Sequence, residues 1–541
     1  MVRVGPFTGQ VAAGWERERR YGVPRWVIER ATGRRVAGDW RGACAAAGIE
    51  VGFELGEVRR KYGAAVAEAL EEDLRHLAPD LLRWHVGDGG NTQVLSEYRP
   101  GDSSGPEVSF LRSGDFPMLR LAGAGRGGSM RPCLGFGQGK GATWFTPRHL
   151  WDVRRAGELL VRGGGRERAP FFNADGTLRE ELPGSEPEGA VEQAEWISSL
   201  HERGEVEAAF AAAGIELRLW RNERLSRDRR LEMLRLLPIA LYRVEAEVRR
   251  LAPEGARTFV VQQSLDQYGP AGRAGLLLEL PEQGNGLRAM YPAEAGRQKD
   301  VPQLPEMFWH RLPDLDLVRA GRLTPDELHP LVRDALFPAR EPAAGPVGPR
   351  EPEPPGLARV RCQGKWHEVS FRNGRLCHDH TDQEWQREHA MRALGGAVAG
   401  CFAVREEWAG RGALPRALRE QRRELFWRAS YGDTEGVFRL LDLGHDPFTR
   451  DGEGRSLLHC LSRLEYEELL PRLLDAGLDI EARDAQERTP LMAAIVGPAP
   501  AATVRALLDA GARADPGHPA SWPAQMLDRR DDLDFLKERL S

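Results

Sequence analysis

The stretch RCQGKWHEVSFRNGRLCHDH gathers five side chains that bind transition metals: Cys362, His367, Cys377, His378 and His380. Thiolate sulfur and imidazole nitrogen are the donors that a structural zinc ion takes, four at a time, at tetrahedral angles. Their spacing is Cys-x4-His-x9-Cys-His-x-His, without a Cys-x2-Cys knuckle. Cys362, His367, Cys377 and His380 are therefore weak metal candidates. The plainer expectation is no cofactor at all, with a partly buried thiol beside surface histidines.

Other letters invite chemistry and then withhold a part of it. HDHTDQ, starting at His378, resembles the H-x-H-x-D-H motif of metallo-β-lactamase-like hydrolases, but Gln383 stands where the last ligand belongs. The surrounding stretch is also too short for that fold and its dinuclear site. GAGRGG at Gly123 fits G-x-G-x-x-G, yet it runs into SMRPCLGF rather than a helix, which suits a hairpin loop better than a pyrophosphate cradle. Gly139-Lys140 lacks a P-loop's first glycine, replaced by Leu134, and its magnesium-binding hydroxyl, replaced by Gly141. No G-x-S-x-G elbow and no H-E-x-x-H occurs. Catalytic residues are expected to be none, and the chain is not expected to be an enzyme.

The chain of 541 residues is too long for one core. With 41% apolar and 29% charged residues and a formal net charge of -5, it lacks the basic field of a nucleic-acid binder. Lysine occurs at only five of the 76 basic positions; the arginine runs NERLSRDRR and REQRREL are interleaved with acids, as helix-surface pairs are. The start of the sequence has no signal-peptide pattern and no stretch of 18 apolar residues occurs, so a cytoplasmic protein without a membrane partner is expected. Six scattered cysteines do not make a secreted disulfide framework.

Near the C-terminus the sequence repeats. DGEGRSLLHCL at Asp451 aligns with DAQERTPLMAA at Asp484, a step of 33 residues. Leu440-Leu441, Leu473-Leu474 and Leu507-Leu508 recur at steps of 33 and 34, as do Gly444, Gly477 and Gly511. In each unit a Ser or Thr caps a short helix and a second helix ends in Leu-Leu-Asp-x-Gly; Thr489 as N-cap leaves Pro490 at the first helical position, where its missing N–H costs nothing. The pattern resembles the ankyrin repeat, D-x-x-G-x-T-P-L-H-x-A followed by V-x-x-L-L-x-x-G-A-D. One unit keeps Thr489, Pro490, Leu491, Ala494, Val504, Leu507, Leu508, Gly511 and Ala512; another keeps Gly454, Leu458, His459, Leu473, Leu474, Gly477 and Asp479. A third, at Ala429 to Asp446, lacks its leading tip. Ser456-Leu457 replaces Thr-Pro, Glu487 replaces the turn glycine, and the segment after Asp515 is degenerate, as suits a terminal cap.

The resemblance implies a stacked all-α solenoid over 418–541, with three units and a cap, that binds a protein partner. Arg450, Glu453, Arg483, Gln486 and Glu487 fall at its tips and are the candidate partner-binding residues; the alternative is that these charges only solvate loops. Replacing Leu474 or Leu507 by Ala is expected to cost about 2–5 kcal/mol.

Upstream, CAAAGIEV at Cys44 returns as FAAAGIEL at Phe210, and HLAPD at His76 as RLAPE at Arg250. Trp144-Phe145 pairs with Phe308-Trp309, and RRAGEL at Arg154 with VRAGRL at Val318. These matches keep their order and point to two tandem α+β modules, 1–183 and 184–340. Each is expected to contain a long helix, Gly63 to Trp84 or Arg227 to Leu251, and then short strands over Pro117 to Phe136 or Arg257 to Met290. Residues 341–356 read as an extended proline-rich linker. Residues 357–417 read as a β-meander turning at Asn373-Gly374 and a helix with a Thr381/Glu384 capping box that stops at Gly395-Gly396, placed to cover the open end of the solenoid. The fold class is thus multidomain: two tandem α+β modules, a small β-meander plus helix region, and a C-terminal all-α ankyrin-like solenoid. Three functions stay open: a scaffold or adaptor working through the solenoid, an immunity or inhibitor protein working through the tandem modules, and an enzyme of unrecognised type in those modules.

Overall fold

The computed structural model describes residues 9–87, 92–98, 116–123, 131–138, 144–220, 226–251, 257–264, 273–282, 286–291, 301–343, 345–362, 364–372, 375–378, 380–394, 399–408, 414–497, 499–513 and 531–536. The Gly139-Lys140 motif, most of GAGRGG, the Asn373-Gly374 turn, the Gly395-Gly396 stop and most of the degenerate tail lie outside the described residues. The chain divides into two compact bodies, one up to Pro349 and one from Arg350 onward.

The first body contains two sheets. Strands β1 (Glu50–Val51), β2 (Gln93–Glu97), β3 (Met118–Ala122), β4 (Cys133–Gly137) and β5 (Trp144–Phe145) lie in the order β1-β4-β3-β2-β5. Strands β6 (Ile215–Leu219), β7 (Thr258–Ser264), β8 (Arg273–Glu279) and β9 (Leu287–Tyr291) lie in the order β6-β9-β8-β7. In each sheet the first strand runs parallel to the fourth, and the second to fourth strands form an antiparallel meander. β5 runs parallel to β2, and a single parallel bridge from Val260 to Gln303 takes the same place in the second sheet. The GIE segments enter β1 and β6 alike, because Gly48 and Gly214 both adopt the left-handed turn that ends the preceding helix.

Both expected long helices are broken, and at equivalent points. The first divides into Ala64–His76 and Pro79–Val86, the second into Arg227–Arg235 and Leu241–Leu251. At each break an alanine N–H leaves the helix to bond a tryptophan carbonyl, Ala78 to Trp151 at 2.8 Å and Ala240 to Trp309 at 2.7 Å. Pro79 and Pro238 stand beside these breaks, where a helix cannot continue unkinked. Each tryptophan is fully buried and donates its indole N–H at 3.1 Å to a carbonyl five residues upstream, Thr146 or Leu304. Trp151 and Trp309 are thus counterparts, whereas HLAPD spans the break between two helices and Arg250-Leu251 of RLAPE ends one. HLAPD and RLAPE therefore do not correspond; the glycine turns into β1 and β6 and the tryptophan corners carry the repetition.

Each sheet has its own apolar core, and a third core binds the helices Pro79–Val86, Glu158–Arg162, Pro313–Arg319 and Pro330–Leu336 together. A buried ion pair pins the helix Pro313–Arg319 to the helix Gly9–Tyr21: Arg19 bonds Asp314 at 2.8 and 3.1 Å, and Trp84 donates to the same carboxylate at 2.9 Å. The proline-rich segment does not run free in its first part. Gly348 N–H bonds the Asp326 carbonyl at 2.8 Å, and Arg340 bonds the Asp326 carboxylate.

In the second body, β10 (Ala358–Cys362), β11 (Lys365–Arg372) and β12 (Arg375–His378) form an antiparallel sheet, followed by helices Asp382–Ala393 and Gly400–Trp408. Repeat helices follow at Arg416–Ser430, Thr434–Asp442, Tyr466–Asp475, Pro490–Val496 and Ala501–Asp509, with a tighter 3-10 turn over Leu457–Arg463. Residues 350–356 lie along the first repeat: Arg428 donates to the Arg350 carbonyl, Arg439 pairs with Glu351, His445 donates to the Glu353 carbonyl, and Gln421 to that of Gly356. The expected tether is in this part a strap. Among the described residues, no helix is long and apolar enough to cross a membrane.

Candidate functional site

The repeat tips are built by one device used twice. Asp451 accepts hydrogen bonds from the N–H groups of Glu453 and Arg455 and from the Arg455 guanidinium; Asp484 does the same with Gln486, Arg488 and the Arg488 guanidinium. Burial alone would raise the Asp484 carboxyl, but these donors outweigh it and hold it below the ordinary carboxylate range. Thr489 is the N-cap, taking the Met492 N–H at 3.3 Å, and Pro490 follows in the first turn.

Successive tips are sewn together. Arg450 donates to the Arg483 carbonyl at 2.7 Å, and Ala485 N–H to the Glu453 carbonyl at 2.8 Å. Gln486 reaches the Glu453 carboxylate at 3.5 Å, and Arg483 donates to the Glu487 carbonyl at 3.1 Å. His459 accepts the Ser456 N–H at Nδ1, which leaves Nε2–H to donate to the Arg488 carbonyl at 3.0 Å. Its burial lowers its basicity and so favours this neutral tautomer. Of the five residues expected at the tips, Arg450 is half-buried and spent on holding the next tip. Glu453, Arg483, Gln486 and Glu487 remain exposed.

The Cys/His residues part company according to strand geometry. Val360 stands opposite His367 and Ser370 opposite Cys377, so Cys362 and His367 share one face of the sheet while Cys377 lies on the other. Cys377 is thereby removed from the candidate set. His380, just past β12, brings Nε2 to 2.8 Å from His367 Nδ1. The fourth donor is one the sequence did not suggest: Cys401, in the first turn of Gly400–Trp408, with Sγ 3.7 Å from His367 Nδ1. Twenty residues separate it from His380 with no second cysteine or histidine beside it to make a knuckle, and an Ala-Gly-Cys ahead of a helix was its only sign. The donor atoms of Cys362, His367, His380 and Cys401 lie within 4.8 Å of one another. The side chain of His378, and all of Asp379, lie outside the described residues.

Residues 425–517 match the family model of ankyrin repeats, in three copies. This segment is an ankyrin array. Among curated proteins, none matches the sequence significantly. In the array the first leucine of each pair, Leu440, Leu473 and Leu507, is fully buried, while Leu441, Leu474 and Leu508 are half-buried. The stack continues past the matched residues, since Leu533 and Leu536 are buried in the same core and Arg505 lies 3.7 Å over the ring of Phe535.

Several buried carboxylates of the first body are engaged by arginines. Arg148 pairs with Asp73 and Asp152, Arg154 with Asp152, and Arg168 with Glu195. The buried His329–Asp80 pair, 3.0 Å apart, resembles a catalytic dyad, but His329 Nδ1 accepts the Leu331 N–H and caps a helix. That dyad is occupied with structure.

Proposed function

We propose that this chain is a protein–protein interaction scaffold or adaptor without catalytic activity, that its ankyrin array docks a protein partner through the tips, and that it works in the cytoplasm. The observation that carries this is the pairing of a family built for protein binding with four exposed tip side chains, Glu453, Arg483, Gln486 and Glu487, on a hydrogen-bonded frame. A rigid frame spares a partner the entropy of ordering loops, so a modest number of polar contacts suffices for specificity. The pairing of the buried Asp73, Asp152 and Glu195 carboxylates with arginines supports the non-catalytic reading over the enzyme alternative. Nucleic acid and membrane are not proposed as partners.

The test uses the full-length chain as bait and a second form carrying Arg483→Glu and Glu487→Arg. A partner docked on the tips loses about tenfold or more in affinity to the double variant. A partner whose affinity is unchanged by it, and which is lost when residues 1–340 are deleted, would move the binding function to the tandem modules and favour the inhibitor alternative.

A further inference from the structure

We propose that Cys362, His367, His380 and Cys401 bind one zinc ion as a closed Cys2His2 structural site that fastens the small sheet to its two helices at the head of the ankyrin array. Two sulfurs and two imidazole nitrogens form a borderline-soft donor set suited to tetrahedral zinc, and four protein ligands leave no open position for substrate. A tetrahedral ion with Zn–S of about 2.3 Å and Zn–N of about 2.0–2.1 Å sets its donors roughly 3.3–3.8 Å apart. The Cys401–His367 separation of 3.7 Å falls within that range, the His367–His380 separation of 2.8 Å lies below it, and all four donor atoms lie within 4.8 Å of one another, so a modest parting of the two imidazoles completes the site.

The surroundings fit a metal centre at three further points. Gly400 has φ +63°, and a side chain there would meet Cys362 Sγ at 2.6 Å; only glycine lets the helix bearing Cys401 come this close to the strand. Cys401 sits where unpaired helix N–H groups favour a thiolate. His380 turns its other nitrogen, Nδ1, to Glu384 at 3.6 Å, and Glu384 is itself fixed by the Thr381 N–H and hydroxyl in a capping box. A carboxylate behind a ligating histidine is the usual means of setting its tautomer and orientation. Both cysteines are buried, and Phe402 stacks against His380 at 4.6 Å between ring centres, with Trp385 behind it at 4.9 Å.

The site has a structural reason to exist. Among the described residues, the core of 358–418 consists of ten buried apolar residues, a small core for three strands and two helices, to which a metal staple would add. That core also reaches the first ankyrin helix through Leu414 and Leu418, and Trp408 donates to the buried Asp446 carboxylate at 2.8 Å. A metal here would order the N-terminal cap of the array.

The full-length protein, produced without a histidine tag and purified without chelator, is expected to carry about one zinc per chain by elemental analysis. The Cys362→Ser and Cys401→Ser variants are expected to lose it and Cys377→Ser to keep it. Chelator-stripped protein should take up cobalt with the visible bands of a tetrahedral, thiolate-ligated ion. His380→Cys should retain binding with a shifted cobalt spectrum, which separates loss of a ligand from loss of fold. Zinc below about half an equivalent together with no thiolate-bound cobalt overturns the proposal. So does equal loss of zinc from Cys377→Ser and Cys401→Ser, or a Cys362–Cys401 disulfide in the freshly purified protein.

Discussion

At the scale of single residues, the array shows where a sequence departs from its own repeat and at what cost. Gly454 and Glu487 occupy equivalent turn positions, with φ of 74° and 60°. Glycine adopts this left-handed conformation freely, whereas a side chain there costs about 1–2 kcal/mol. Glu487→Gly is therefore expected to raise the stability of the array by about 1 kcal/mol, read as a higher urea midpoint at unchanged slope. Gly454→Ala is expected to lower it by a similar amount. If Glu487→Gly stabilises the fold and at the same time weakens the partner captured by the full-length chain, the strain at Glu487 is retained for recognition. If binding is untouched, Glu487 only solvates its loop.

At the scale of elements, a repeat is legible when its contacts are local and periodic, and much less so otherwise. The caps at Thr489 and Ser456 and the paired leucines were readable because each follows from spacing within one unit. The depth of each leucine was not, because it depends on how neighbouring helices face one another. Leu507→Ala is expected to cost about 2–5 kcal/mol. Leu474→Ala, expected from sequence to cost as much, should cost less than half of that, since Leu474 is only half-buried. Urea denaturation of the two variants side by side checks the ranking, and equal losses would contradict it. The same distinction explains the metal cluster. The alternation that excludes Cys377 needs the β11–β12 register, and the partnership of Cys401 needs the packing of a helix on β10. In the tandem modules the GIE strands were legible through their glycine turns, but the tryptophan corner was hidden, because Ala78 and Ala240 pair with it through backbone atoms that carry no sequence signature.

At the scale of the whole molecule, burial of histidine ties stability to pH. In the first body His85, His201 and His310 are each pushed down to about 3, above all by burial, and His149 is also held well below the ordinary value. An unfolded chain protonates these side chains near pH 6.5, so between about 6.5 and 3 the unfolded state binds more protons than the folded one. Stability is then fully present above pH 6.5 and declines as pH falls, by up to about 1.4 kcal/mol per pH unit for each histidine. His201 donates its Nε2–H to the Leu234 carbonyl at 3.0 Å, and its Nδ1 meets no hydrogen-bond partner among the described residues. His201→Gln can keep a donor in that place while removing the titrating group. Its urea midpoint, followed by the fluorescence of the buried Trp84, Trp151 and Trp309, should fall less steeply than wild type from pH 6.5 to 4, by about one proton's worth. Carboxylate protonation acts on both proteins alike and cancels in the difference. Parallel pH profiles for the two would mean that His201 is protonated in the folded state, and that the buried histidines do not set the acid limit of this body.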